Sequence, residues 1–108
     1  MVNYIRSRER ADTQIKKWGM RAALRRASGD RECWALEVQL SASEKRALKN
    51  FTSRIFIISA VGLDIPPTKE DSLITYVGSI ELPPLRQVAP VAPLAPGGIV
   101  VYWELQVE

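Results

Sequence analysis

The chain has 108 residues, with 15 Lys and Arg against 12 Asp and Glu, no histidine, and a single cysteine, Cys33. That length suits one domain with a real but modest core, and an apolar content of 46% is too high for a disordered tail. An intrachain disulfide is excluded, and without histidine the usual zinc ligand sets cannot be assembled.

No stretch reads as a secretory h-region, and no apolar run is long enough to cross a bilayer. Cys33 is expected to be a packed or half-exposed thiol, because there is no imidazole to activate it. The net charge of +3 hides an asymmetry. Residues 1–54 hold 13 Lys and Arg against 6 Asp and Glu, net +7, whereas residues 55–108 hold 2 against 6, net −4. Such a split points to one region that faces a polyanion or an acidic partner, or to an exposed helix and loop carrying solvating arginines.

Tyr4 to Trp18 predicts a helix. Tyr4, Ala11, Ile15 and Trp18 share a narrow stripe, and Arg6, Arg10, Lys16 and Lys17 lie opposite. Gly19 stands where a left-handed cap would end it. Met20–Ala27 alternates, Ser28-Gly29-Asp30 is a turn signal, and Glu32–Leu40 alternates again. In that second run Trp34, Leu36, Val38 and Leu40 are expected inward, and Cys33, Ala35, Glu37 and Gln39 outward. Together they predict an antiparallel hairpin with one wet face. On this reading Trp18 and Trp34 are core residues, not stacking platforms.

Ser41-Ala42-Ser43-Glu44 resembles a capping box, followed by Lys45, Arg46 and Lys49. The segment is either a short helix or a long basic loop between two strands. Arg54–Ser59 is apolar on both faces, hence a central strand. Ala60–Glu70 is irregular, interrupted by Gly62 and Pro66-Pro67. Ser72–Tyr76 is a short strand with Val77-Gly78-Ser79 as its turn. Pro83-Pro84 and Pro90 confine Ile80–Val91 to an edge, a bulge or an arm, and Pro90–Pro96 should be stiff and extended. After the turn Pro96-Gly97-Gly98, the run Ile99–Val107 predicts the principal strand, with Val101, Trp103, Leu105 and Val107 on its core side.

One helix and five or six short strands predict a mainly β domain: a small barrel of short antiparallel strands with an N-terminal helix and a long inter-strand loop. The expected core is Trp34, Leu36, Ile57, Val101, Trp103 and Leu105. No Gly-rich phosphate loop, acid–base pair or metal set is legible, so neither enzymatic activity nor a cofactor is expected. Asp64, Glu70 and Asp71 form the only acidic cluster, in a turn region where carboxylates often serve the backbone.

Several stretches, in order, resemble a known family. They are Tyr4, Arg8 or Arg10, Ala11, Asp12, Ile15, Lys17 and Gly19; Ala23-Leu24-Arg25-Arg26; Ile57-Ile58-Ser59-Ala60-x-Gly62-Leu63; Asp71-x-Leu73; Gly78; and Pro93-Leu94-x-Pro96-Gly97-Gly98 with Tyr102-x-Glu104-Leu105-Gln106-Val107. This order resembles the head-completion proteins of long-tailed bacteriophages, also called stoppers or head-closure proteins. The similarity covers most of the chain, and its last segment is the most specific. Glu70 stands where that pattern usually has glycine, and Pro83-Pro84 interrupts a stretch that is normally plain strand.

The resemblance implies a single head-completion domain over residues 1–108, with a helix over 1–19 and a barrel over 20–108 that carries the loop 41–53. It implies a structural protein of the virion neck, assembled in the host cytoplasm as a ring of six or twelve copies. Adaptor or portal proteins would lie above it, tail terminator or tail tube proteins below, and packaged double-stranded DNA in its channel, with no membrane. Ser43, Lys45, Arg46 and Lys49 would face the channel, and Arg6, Arg10, Lys17, Arg21 and Arg25 a neighbouring copy or the adaptor. The alternative is a small basic nucleic-acid-binding β-barrel, which the +7 half favours.

Overall fold

The computed structural model describes residues 4–47, 53–63 and 65–108. Helix α1 (Tyr4–Trp18) leads into the hairpin β1 (Met20–Arg26) and β2 (Gly29–Val38), then the short helix α2 (Ala42–Ala47) and β3 (Arg54–Ser59). The strands β4 (Ser72–Ile74), β5 (Tyr76–Val77), β6 (Ile80–Glu81), β7 (Ala92–Leu94) and β8 (Tyr102–Val107) follow, with a 3₁₀ turn at Pro96–Gly98. Among the described residues, no helix is long and apolar enough to cross a membrane.

Six strands form one antiparallel sheet in the order β4-β1-β2-β3-β8-β7, and β5 and β6 form a separate two-stranded ribbon. The sheet curls, and its inner face carries the core. Ala22 and Leu24 of β1, Cys33 and Ala35 of β2, Phe56 and Ile58 of β3, Leu73 of β4, and Leu105 and Val107 of β8 make one buried cluster. The small Ala22, Cys33 and Ala35 leave room for Leu24, Phe56, Ile58, Leu73 and Leu105. Cys33 belongs to this packing, and its burial pushes the thiol up to about 12.

This arrangement reverses the expected phase of β2. Cys33 and Ala35 point inward, and Trp34, Leu36 and Val38 are half-buried on the other face. Ile57, also expected in the core, alternates with Phe56 and Ile58 and shares that outer face, half-buried. Because β2 is apolar on both sides, size alone misleads: its inner face takes the small Cys33 and Ala35. Val101 and Leu105 are buried and Trp103 packs partly buried against the cluster, so the C-terminal part of the core reading stands. Regular pairing of that strand begins at Tyr102 rather than Ile99.

Helix α1 lies against β1, β2, β3 and β8. Its inward stripe is Tyr4, Ser7, Arg8, Ala11, Asp12 and Ile15, of which only Ile15 is fully buried. Ser59 Oγ donates to Asp12 at 2.6 Å, and Ser59 alternates with the inward Ile58, so this bond ties the helix to the outer face. Gly19 is not a left-handed cap, since its φ is not positive. It is glycine because a Cβ there would collide with the carbonyl oxygens of Ala35 and Ile15. Trp18 leaves the stripe and is 68% exposed, which overturns its expected place in the core.

The expected closed barrel is instead an open half-barrel. Leu85 bridges Leu73 of β4 and Gln87 bridges Val107 of β8, but only as isolated pairs. Pro83, Pro84 and Pro90 flank that segment and cannot donate to a ladder, so it crosses the gap without becoming a strand. The β7 edge is blunted. Leu94 directs its carbonyl to Val101 at 2.7 Å, leaving Pro93, which has no N–H, to face outward.

Candidate functional site

The residues expected to do the protein's work lie in three places. On α1, Arg6, Arg10 and Lys17 are exposed. Lys17 Nζ lies 5.1 Å from the Trp18 ring centroid, and Trp18 Nε1 donates to Gln14 at 3.1 Å. This end of the helix therefore presents an exposed indole tied to Gln14, with a cation over its ring. Lys16 is turned back to Asp12 at 3.0 Å.

On β1, the two arginines are occupied. Arg21 pairs with Glu32 at 2.8 Å and lies 5.9 Å from the Trp34 ring centroid. Arg25 forks to both Asp30 oxygens at 2.7 Å and reaches Glu81 at 2.8 Å. Its hydrogen bonds hold the Asp30 and Glu81 carboxyls below their ordinary range, and theirs raise the guanidinium further. Both arginines thus brace the hairpin and the β5–β6 ribbon, in addition to any partner they meet.

The third place is α2, and the capping box is real. Glu44 N donates to Ser41 Oγ at 3.2 Å, and Ser41 N donates to Glu44 Oε1 at 3.1 Å. That backbone donor holds the Glu44 carboxyl below its usual value. Ser43 Oγ lies 3.1 Å from Ser41 Oγ, and Arg46 is exposed. The side chain of Lys45 and all of Lys49 lie outside the described residues, so the basic cluster is described only at Arg46.

Sequence reasoning missed several polar joints. Arg8 Nη2 donates to the Ala60 carbonyl at 2.9 Å. Asp71, 1% exposed, accepts from Arg26 Nη2 at 2.7 Å and Thr68 N at 2.9 Å; Gln87 Nε2 donates to the Thr68 and Asp71 carbonyls. The Thr68 bond is the backbone service expected of a carboxylate in that turn. Also missed was the apolar tip of the β5–β6 ribbon, Val77 and Ile80, which are 61% and 67% exposed. The signal was present: Gly78-Ser79 between two β-branched residues is a hairpin pattern. Among the described residues, no group of three His, Cys, Asp or Glu is placed to hold a metal.

Compared with protein-family models, curated proteins and solved structures, the chain matches none.

Proposed function

We propose that this chain is a structural protein of a bacteriophage neck, a ring component that closes the DNA-filled head and offers a docking surface to the tail. One observation supports it above the rest. Several residues that carry the resemblance to head-completion proteins join distant parts of this fold. Asp12 meets Ser59, Arg8 meets the Ala60 carbonyl, Arg26 meets Asp71, and Gly97 lies so close to Tyr4 that a Cβ would stand 2.9 Å from its ring. Joints of this kind between distant stretches of the pattern support a shared architecture. Electron microscopy of a gene-deletion lysate tests it. Filled or leaking heads lying apart from finished tails are expected; intact joined virions would reject the role.

A second reading, a basic nucleic-acid-binding β domain, gains from the exposed Trp18 beside Lys17. An exposed indole beside a cation on a basic helix can stack on an unpaired base. Quenching of tryptophan fluorescence by short single strands, lost on Trp18→Ala and weakened by salt, would favour it. The neck reading expects no such quenching.

A further inference from the structure

The β5–β6 ribbon stands outside the main sheet, and a two-stranded ribbon has little stability of its own. Its base is fixed: Leu82 N donates to the Thr75 carbonyl at 2.9 Å, and Glu81 is gripped by Arg25. Its tip turns through Gly78, φ +62, and pairs Val77 with Ile80. Two adjacent β-branched side chains, each more than 60% exposed, therefore form a firm apolar knob.

Elsewhere the chain has a groove of about 330 Å³ of mixed lining, with the apolar side chains of Leu63, Pro66, Ile99, Val100 and Trp103 and with Arg8 in its wall. The pairing register relates knob and groove. Met20, Ala35, Ile58 and Trp103 form one row across the sheet. The ribbon begins just past Ile74, which pairs with Ala23, and its Tyr76 and Gly78 line a cleft with Met20 and Arg21. In strand order the knob thus lies on the β4–β1 side and the groove on the β3–β8 side, with β2 between. The signs also complement. At the knob's base Asp30 and Glu81 outnumber Arg25, whereas Arg8 stands in the groove wall.

We infer that copies of this chain join head to tail, the Val77–Ile80 tip of one copy seated in the Trp103 groove of the next. This rests on the ring reading and names its interface and partner. A projection and a recess displaced sideways across one chain make a heterologous contact, which closes into a ring when the rotation per copy allows. Each contact is small against a standard interface, so it is weak singly and strengthened by closure.

The test uses the full chain at high concentration with a short bismaleimide, the unsubstituted chain serving as the control for buried Cys33. Val77→Cys mixed with Val100→Cys should give covalent dimers, each alone should give few, and the double variant should give a ladder. Val77→Ser/Ile80→Ser should weaken self-association at least tenfold, read by sedimentation, with an unchanged monomer melting curve. Efficient cross-linking of Val77→Cys to itself would overturn the inference in favour of tip-to-tip pairing. Self-association that ignores both sets of variants would overturn this interface while leaving a ring standing. A chain that stays monomeric at every concentration would overturn self-docking through the tip, and the deletion lysate would still decide the neck role separately.

Discussion

At the scale of single residues, the fold rests on a few side chains whose removal has a calculable cost. Leu105 is fully buried in the inner face, opposite Phe56. Leu105→Ala should cost about 2–5 kcal/mol through the cavity it leaves, read by urea denaturation. A midpoint unchanged within error would mean that β8 is not core. Gly19 presents the opposite hazard. A methyl group there meets backbone carbonyls on two sides, neither of which can rotate away. Gly19→Ala should therefore cost about 1–3 kcal/mol or more, as overpacking does, instead of the gain that alanine gives an open helix end. The Arg25 bracket sets a pH dependence. Asp30 and Glu81 titrate below their ordinary values in the folded chain, so their pairing stabilises fully above the ordinary carboxylate range. That contribution fades as pH falls through the depressed values. Acid titration followed by the melting temperature should show this loss, and Arg25→Met should remove that part of the slope. Both carboxylates are well exposed, so the effect is modest and shrinks with salt.

At the scale of elements, periodicity was informative wherever one face of an element meets water. Helix α1 runs over the span its spacing predicts, and the Ser41–Glu44 signature does cap a helix. Ser41→Ala should unwind α2, costing about 1 kcal/mol locally, and the Glu44 amide should then exchange faster with solvent. Unchanged exchange would make the cap ornamental. Strand β2 shows why periodicity fails elsewhere. Alternation places Trp34 and Cys33 on opposite faces but cannot say which face is the inner one when both are apolar. The half-barrel's gap was illegible for another reason. Whether Leu85–Val88 completes a ladder depends on β4 and β8, which are far from each other in sequence. The candidate site divides in the same way. The basic face of α1 was legible from composition. The engagement of Arg25 with Glu81 was not, because 56 positions separate them.

At the scale of the whole molecule, charge becomes an argument only when the chain is repeated. Lys16, Arg21, Arg25, Arg26 and Arg54 each meet a carboxylate, but of those carboxylates only Asp71 and Glu81 come from the second half, so most of the first half's surplus is left. Arg46 is exposed on α2, next in sequence to Lys45 and three positions before Lys49. In one chain three such cations are an ordinary solvated surface. In a ring of six or twelve copies they make a collar of tens of positive charges, and each one near a duplex can displace condensed counterions. The contact would read no sequence and would weaken steeply with salt. Among the described residues, the core cluster includes none from α2, so replacing Arg46 does not open it. Replacing Lys45, Arg46 and Lys49 together with serine should leave the melting curve and ring assembly intact. Filled heads carrying the variant should then lose DNA before tails join, and lose more at high salt. Full retention of DNA in normally assembled heads would reject the collar, whereas failed assembly would move these cations to a contact between proteins.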